Sequence, residues 1–415
     1  MTELVVVPRA VSLTRAEAKE RYDALPMPTT SDEHWRFTPL RGFDAESFAT
    51  GAAGSVAVPR ADALDLDVSG RAVVTEAGIE ILSAPEGVTF APLPRDYDSK
   101  LIPDDDKFAM QNLAEWEHGL LVHVPKGVEL DKPLYVQVTS TGGTLHWRMV
   151  VIADEGARFS LIEDLSSASP DLEAYSNTVV ELFVGEHAKI EYVSLQNLST
   201  ETWHFARHKA WLERDSELDW VIGGFGSKRG KVWIENDLAG EGATSRVTGA
   251  YFADGEQHLD FDTFQEHIAP NTESDFAFKG ALRENASAVW RGMIRVEEDA
   301  QKTNAYQENR NLLLSDSAHA DSIPGLEIMA NDVRCTHGAT LGRVNREELF
   351  YLMARGLSRE EAERLIVRGF FQDVLDRIEL EPVREALGAA LEARIPQAQK
   401  RCRSLEAGIP ARPFE

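Results

Sequence analysis

Short β-rich runs separated by small-residue turns dominate the chain from about residue 120 to residue 344. The first of these runs are Leu121-Val-His-Val-Pro125, Leu134-Tyr-Val-Gln-Val138 and Trp147-Arg-Met-Val-Val-Ile152. Runs rich in β-branched and aromatic residues are typical of β-strands. No amphipathic helical pattern interrupts them between about 120 and 340, so this segment is predicted to be built from strands and turns.

The turns between the runs recur in a loose repeat. They fall at Gly156-Ala157, His187-Ala188, Ser216-Glu217, Gly242-Ala243, Asn285-Ala286, Asp299-Ala300 and Ser317-Ala318, and the spacing is irregular between Ala243 and Ala286. One strand-and-turn unit cannot bury its own apolar face, whereas stacked units bury a continuous core. The pattern therefore predicts a mainly β protein, a β-solenoid of the parallel β-helix type. A β-sandwich is the main alternative.

Helical patterns flank the repeat on both sides. Thr14-Arg-Ala-Glu17 is a capping-box sequence in a mixed N-terminal region. After Val344 two further capping-box sequences, Asn345-Arg-Glu-Glu348 and Ser358-Arg-Glu-Glu361, predict two helices, and a third is expected from Val383 to Arg394. We therefore divide the chain into a mixed region (1–119), a parallel β-helix core (120–344) and a helical domain (345–415). The terminal helices either cap the solenoid or dock another protein.

Charge and cysteine content exclude several classes of function. Acidic residues number 69 and basic residues 43, which gives a net charge of −26 and disfavours a nucleic-acid partner. The two cysteines, Cys335 and Cys402, form no Cys-x-x-Cys pair, so neither a disulfide framework nor a zinc ribbon is expected. We find no signal peptide and no membrane-spanning apolar stretch in the sequence, and expect a cytoplasmic protein.

The residue pair with the most distinctive chemistry is Cys335 and His337. Residues two apart in a strand point to the same face, so a thiol and an imidazole would lie side by side. These groups are ligands for zinc, copper(I) or an iron–sulfur unit, but two ligands are too few to hold such a centre. Another chain would have to complete the site. The alternative is that Val333, Cys335 and His337, which share a phase, simply line the solenoid interior.

Several collinear segments resemble the SufB/SufD family of iron–sulfur cluster assembly scaffolds. The resemblance covers roughly 120–380, with weaker support from 33–38. Its segments are His258-Leu-Asp-Phe-Asp-Thr-Phe-Gln-Glu-His267, Pro270-Asn-Thr-Glu-Ser274, Gln301-Lys-Thr-Asn-Ala-Tyr-Gln-Glu-Asn-Arg-Asn-Leu-Leu-Leu-Ser315, Pro324-Gly-Leu-Glu-Ile328, Asp332-Val-Arg-Cys-Thr-His-Gly-Ala-Thr-Leu-Gly342 and Leu349-Phe-Tyr-Leu-Met-Ala-Arg-Gly356. Residues 120–334 contain no cysteine, and this, with the Cys-x-His-Gly-Ala-Thr form of the late segment, makes the chain similar to SufD rather than to the cysteine-richer SufB.

The resemblance implies a right-handed parallel β-helix with helical ends and a non-catalytic scaffold role. It implies a heterodimer with a SufB-like subunit, at whose interface His337, and less clearly Cys335, would handle a transient iron–sulfur cluster or iron. No cofactor is expected to be bound stably by this chain alone, and Cys402 is expected to be incidental. An isolated homodimer is possible. A SufC-like ATPase partner would dock on the C-terminal helices, with candidate contacts at Leu349, Phe350, Leu352, Met353, Leu365, Ile366 and Phe370.

Three other functions stay open at the level of sequence. The chain could be a SufB-like scaffold subunit, or a self-assembling structural solenoid that needs no partner. It could also be a polysaccharide-active enzyme on a β-helix, which would need acidic residues clustered on one outer face, usually with calcium. The candidates for such a cluster are Asp260, Asp262, Glu266 and Glu273.

Overall fold

The computed structural model describes residues 13–48 and 66–394. In chain order its helices and strands are α1 Arg15–Ala24, β1 Gly70–Thr75, β2 Gly78–Ser83, β3 Thr89–Pro92, α2 Lys107–Glu115, β4 His118–Val124, β5 Leu134–Ser140, β6 Gly143–Ala153, β7 Arg158–Ser167, β8 Ala174–Val184, β9 Lys189–Asn197, β10 Trp203–Leu212, β11 Glu217–Gly224, β12 Arg229–Leu238, β13 Thr244–Ala253, β14 His258–His267, β15 Glu273–Leu282, β16 Ser287–Val296, β17 Asn304–Leu313, β18 His319–Ile328, β19 Arg334–Arg343, α3 Arg346–Ala354, α4 Arg359–Leu375 and α5 Glu381–Arg394. None of the helices in these ranges is long and apolar enough to cross a membrane.

From β4 to β19 successive strands alternate between two sheets, which confirms the predicted parallel solenoid. One sheet has ten strands in the order β19-β17-β15-β13-β11-β9-β7-β5-β1-β2, and the other has nine in the order β18-β16-β14-β12-β10-β8-β6-β4-β3. From β4 and β5 onward every neighbouring pair is parallel, whereas β2 and β3 are antiparallel to their neighbours. Strands β1 to β3 precede residue 120, so the N-terminal region contributes to both sheets.

The turns stack as regularly as the strands. In the turns that precede strands of the ten-stranded sheet, the residue before the small turn residue adopts a left-handed conformation, as at His187 (φ 58°) and Gly242 (φ 78°), and its amide donates to a carbonyl of the next turn. Ala157, Ala188, Ser216 and Ala243 precede strands of the ten-stranded sheet, whereas Ala286 and Ala318 precede strands of the nine-stranded sheet. The irregular spacing in the sequence therefore marks a change from turns before one sheet to turns before the other. Thr272 and Thr303 hold the equivalent position before β15 and β17 and are the missing members of the first series.

The solenoid interior is filled by columns of residues that occupy equivalent positions in successive coils. One inward column of the ten-stranded sheet runs through Leu134, Leu161, Tyr192, Trp220, Val247, Phe276 and Gln307. All seven side chains are buried, and the first six belong to the main hydrophobic core. Such stacking buries in each coil the apolar face that one unit could not bury alone.

The N-terminal region covers the outer face of the nine-stranded sheet. Helix α1 begins at the predicted capping box of Thr14 and Glu17. Trp35 and Phe108 pack against aromatic side chains of β8, β10 and β12. These aromatic contacts bury the outer face of the strands, whose inner face is buried in the solenoid. In β8 every residue is therefore buried.

The C-terminal helices α4 and α5 lie along the outer face of the ten-stranded sheet and do not cap its end. Val367 and Phe371 of α4 and Leu387 of α5 join Tyr135 and Val221 of the sheet in one buried cluster. The predicted capping box at Ser358 is present, but the one at Asn345 is wrong, because Asn345 accepts from the backbone of Glu347 without the reciprocal bond. The last coil of the solenoid is therefore left uncovered by these helices.

Candidate functional site

The uncovered end of the solenoid exposes the outer edges of its two last strands. β19 is the terminal strand of the ten-stranded sheet, and β18 is the terminal strand of the nine-stranded sheet. Both are ten residues long, and each pairs with only one neighbour within its sheet. A strand edge presents unpaired backbone N–H and C=O groups, which can pair with another chain. This end of the fold therefore offers backbone groups with which another chain could pair.

His337 lies on this end, at the terminus of the buried inward column. It is the register partner of Gln307, whose side chain is completely buried and donates to the carbonyls of Gly292 and Gly325. His337 has the inward phase that the sequence indicated, but its side chain is exposed because β19 is the last strand of the described solenoid. Within the part of the chain that the structure describes, the imidazole makes no hydrogen bond.

Cys335 is the more sheltered member of the pair. Together with Val333 it packs at the margin of a buried cluster formed by Ile294, Val296 and Ala305, among others. Burial raises the pKa of the Cys335 thiol, although a hydrogen bond with the backbone of Ala305 opposes this shift. The thiol is therefore protonated at neutral pH and is a poor nucleophile until a metal or a basic partner removes its proton.

The ligand set at this end is incomplete within one chain. No group of three or more His, Cys, Asp or Glu side chains among the described residues is arranged to hold a metal ion. Cys335 and His337, two positions apart on β19, are separated by roughly 7 Å along the strand. They can contribute one or two ligands, but a stable four-ligand site requires groups from another molecule. Cys402 lies outside the described residues.

The same end carries exposed apolar side chains that the sequence analysis missed. Leu341 follows His337 on β19 and is 52% exposed, and Tyr306, Leu326, Ile328 and Met329 are exposed on or next to β17 and β18. We call these five residues the end patch. Contiguous exposed apolar residues on a soluble protein mark sites of association. Leu326, Ile328 and Leu341 have the strand phase of the buried Ile294, Val296 and Asn311, and they are exposed because β18 and β19 are the last strands of the described solenoid.

A second exposed apolar surface lies on the C-terminal helices. Phe350 is 73% exposed and Leu365 is 51% exposed, with Met353 and the unpredicted Tyr351 also exposed. The other predicted docking residues are less accessible. Leu349 is buried, whereas Leu352, Ile366 and Phe370 are half-buried. We call Phe350, Tyr351, Met353 and Leu365 the helix patch, because only these four present large apolar areas to a partner.

The acidic residues considered for an enzymatic site do not form one. Asp260 and Asp262 are buried beneath the N-terminal segment, where Asp260 pairs with Lys231 at 2.8 Å and Asp262 with His34 at 2.6 Å. Asp260 also accepts a hydrogen bond from Thr38. The hydrogen bond from His34 and the nearby Lys231 hold the pKa of Asp262 below its usual value despite burial. These carboxylates anchor the N-terminal segment and cannot bind a polymer on the outer face.

Comparison with known proteins places these features in one family. Residues 136–370 match the family model described as "SUF system FeS cluster assembly, SufBD core domain". A Staphylococcus epidermidis protein named "Iron-sulfur cluster assembly SufBD family protein" is 31% identical over 290 residues, which are 69% of this chain and 62% of that protein. Proteins of Staphylococcus haemolyticus and Staphylococcus aureus with the same family name are 30% identical over the same share of each chain. The chain thus spans less than two thirds of the length of these relatives.

Proposed function

This chain belongs to the SufBD family of iron–sulfur cluster assembly proteins, and from this premise we propose that it is a SufD-type, non-catalytic scaffold subunit. It pairs with a SufB-type subunit through the uncovered end of its solenoid in the cytoplasm. At the seam between the two subunits His337 supplies one ligand to a nascent cluster. The observation that carries the proposal is the exposed imidazole of His337 on a terminal strand whose edge is free.

The incomplete ligand set supports a shared site. Iron–sulfur clusters are usually held by four protein ligands, most of them cysteine thiolates. This chain contains two cysteines, and only Cys335 lies among the residues that the structure describes. A cluster bound at this end would therefore take most of its thiolates from the partner. The low cysteine content also favours the SufD-type over the SufB-type assignment.

The experiment that tests the proposal is the substitution His337→Ala in a co-expressed complex with the SufB-type and SufC-type proteins. We expect the variant complex to assemble normally but to form at least about tenfold less cluster. Loss of a group that merely hydrogen-bonds to a metal ligand already lowers metal affinity about 10- to 100-fold, and loss of the ligand itself should lower it at least as much. Cluster content is measured by visible absorption, iron and acid-labile sulfide after anaerobic isolation.

The matched control is His319→Ala. His319 is likewise an exposed histidine on a terminal strand, where it contacts Asp321 at 3.1 Å. It lies on β18, away from the Cys335 and His337 pair in sequence, and its loss is expected to leave cluster content unchanged. Equal cluster content in the His337→Ala and His319→Ala complexes would contradict the role given to His337.

We further propose that the helix patch is the docking surface for the SufC-type ATPase. α3 packs against α4, and α4 is attached to the solenoid through Lys279, which donates to the carbonyl of Phe370 at 2.8 Å and pairs with Asp373. A partner bound to α3 and α4 would thus be coupled to the sheet that carries β19. An ATP-dependent movement of that partner would be transmitted through this connection to the interface with the SufB-type subunit.

Replacing Phe350 with glutamate is expected to abolish co-purification of the ATPase while pairing with the SufB-type subunit persists. Truncating a large aromatic side chain at the centre of an interface typically weakens binding by 2 kcal/mol or more, and a buried unpaired carboxylate adds to this loss. Affinity pull-down followed by quantitative gel analysis provides the measurement. Met27→Glu, at a similarly exposed apolar residue (43%) outside the helix patch, serves as the control and should retain the ATPase.

Three competing functions make different predictions. A SufB-type role predicts that the chain supplies most cluster ligands, and therefore that the isolated chain assembles a cluster without a partner. A self-assembling solenoid predicts homodimers that do not exchange with a SufB-type subunit. A polysaccharide-active enzyme predicts activity on uronate polymers, which the burial of Asp260 and Asp262 disfavours.

A further inference from the structure

A cavity on the side of the solenoid shares no lining residue with the end patch or the helix patch. It has a volume of about 420 Å³ and lies where the ends of β7 and β9 meet the last turn of α5. Its polar lining includes Ser166, Ser167, Asn197, Asp254 and Arg394. Small-molecule sites have volumes in this range, with a few converging polar groups that fix the ligand.

The cavity contains a cation without an acidic partner. Arg394 donates to the carbonyl of Ala390 at 3.2 Å, to Oδ1 of Asn197 at 2.5 Å and to the carbonyl of Phe225 at 3.3 Å. All of these acceptors are neutral, and no carboxylate among the described residues forms an ion pair with Arg394. Burial lowers the pKa of Arg394 to about 10, so the guanidinium is still charged at neutral pH. An uncompensated cation in a protein of net charge −26 is unexpected.

The acidic residue in the lining does not neutralise this charge. Asp254 is held by Arg283, which donates from Nε to Oδ1 at 3.0 Å and from Nη2 to Oδ2. Asp254 also accepts from the backbone amide of Gly255 through Oδ1. Its carboxylate is therefore already paired with another cation, and it raises the pKa of Arg394 only as a secondary effect.

Three of the other lining residues, Ser166, Ser167 and Asn197, have a donor for which the described protein shows no acceptor. Ser166 is 4% exposed, and its Oγ has no hydrogen-bond partner within the described protein. Oδ1 of Asn197 is taken by Arg394, which leaves the amide NH₂ of Asn197 to donate. Oγ of Ser167 accepts from the amide of Ser199 at 2.9 Å, which leaves its proton to donate as well. A buried hydroxyl without a partner is costly unless a ligand satisfies it.

We propose that this cavity is a binding site for a small oxyanion, either inorganic phosphate or the carboxylate of a small organic acid. Arg394 supplies the charge, and Ser166, Ser167 and Asn197 supply neutral donors around it. This combination matches an anion with several acceptor oxygens, because charged and multiple hydrogen bonds give such sites their strength. A bound anion would connect the end of α5 to the ends of β7 and β9.

The test is titration of the full-length chain with inorganic phosphate and, separately, with malonate, at ionic strength held constant with sodium chloride. We expect at least one of the two anions to bind with a Kd of about 1 mM or tighter by calorimetry. Arg394→Gln is expected to weaken that binding at least about tenfold, and Ser166→Ala about three- to tenfold. The preferred anion distinguishes a phosphate site from a carboxylate site.

Two comparisons make the result decisive. Arg384→Gln removes the same charge from the same helix, at a residue outside this cavity, and should leave the Kd unchanged within about twofold. Without anion, Ser166→Ala should leave the unfolding temperature unchanged or raise it, because the substitution removes an unpaired buried hydroxyl. With anion, the unfolding temperature of Ser166→Ala should rise less than that of the wild type. Absence of binding by both anions, or binding that neither Arg394→Gln nor Ser166→Ala weakens, would overturn the proposal.

Discussion

Replacing Leu341 with lysine is expected to weaken association with the SufB-type subunit at least about a hundredfold, because an ammonium group would be buried without a partner at the seam. Leu341 lies on β19, the terminal strand that carries His337, and is 52% exposed in the isolated chain. Charged side chains on edge strands are a known means of preventing strand addition. Sedimentation velocity of the mixed subunits over a concentration series measures the change.

The control for this prediction is Leu82→Lys at the opposite end of the solenoid. Leu82 lies on β2, a terminal strand of the same sheet, and is 42% exposed. The same substitution there is expected to leave the affinity for the partner unchanged. If Leu82→Lys dissociated the heterodimer and Leu341→Lys did not, the subunits would meet at the end that carries β2. That result would contradict the role proposed for His337.

Replacing Arg148 with alanine is expected to destabilise the chain by about 3–5 kcal/mol, because it leaves the Glu181 carboxylate buried without a countercharge. Both side chains are completely buried and form a direct ion pair. Glu181 also accepts from Oγ of Ser99 at 3.0 Å and from the amides of Lys100 and Leu101 at 2.8 and 2.9 Å. The ion pair therefore attaches a segment of the N-terminal region to the nine-stranded sheet. The decrease in the free energy of unfolding is measured by urea unfolding.

Two control variants isolate the electrostatic part of this effect. Arg158→Ala removes an exposed partner of Glu129, with which it forms a 3.5 Å contact, and should cost less than about 1 kcal/mol. Combining Glu181→Gln with Arg148→Ala removes the buried charge while keeping hydrogen-bonding groups, so this double variant should be more stable than Arg148→Ala alone. Equal costs for Arg148→Ala and Arg158→Ala would show that burial of the ion pair has no energetic consequence.

The sequence predicted the solenoid well because its repeat is local. Small residues such as Ala157 and Ala188 mark turns in which bulky side chains would not stack, and the short apolar runs between them mark strands. The sequence did not show which sheet each turn precedes, because Thr272 and Thr303 replace the usual alanine or serine and hide two members of the series. It also did not show where α4 and α5 lie, since strands that are buried on both faces do not identify the element that covers them.

Part of the candidate site could be predicted from the sequence because the periodicity of a strand is also a local signal. The two-residue period of a strand correctly placed Cys335 and His337 on one face. Periodicity alone could not distinguish an interior position from an exposed one, because that depends on whether another coil follows β19. The cavity around Arg394 carried no sequence signal, since its residues come from separate turns and from α5.

The two ends of the solenoid differ in the strand edges that they offer to another solenoid. The first end finishes in the antiparallel strands β2 and β3, of which β3 has four residues and ends at Pro92, whereas the last end offers two long parallel strands. Short strands and proline discourage further pairing. Once two such last ends have paired, each solenoid has only its short-stranded first end left, so end-to-end pairing of solenoids is expected to stop at two, whatever other partner binds the helix patch. Raising the concentration of subunits should therefore yield more pairs, and no filaments.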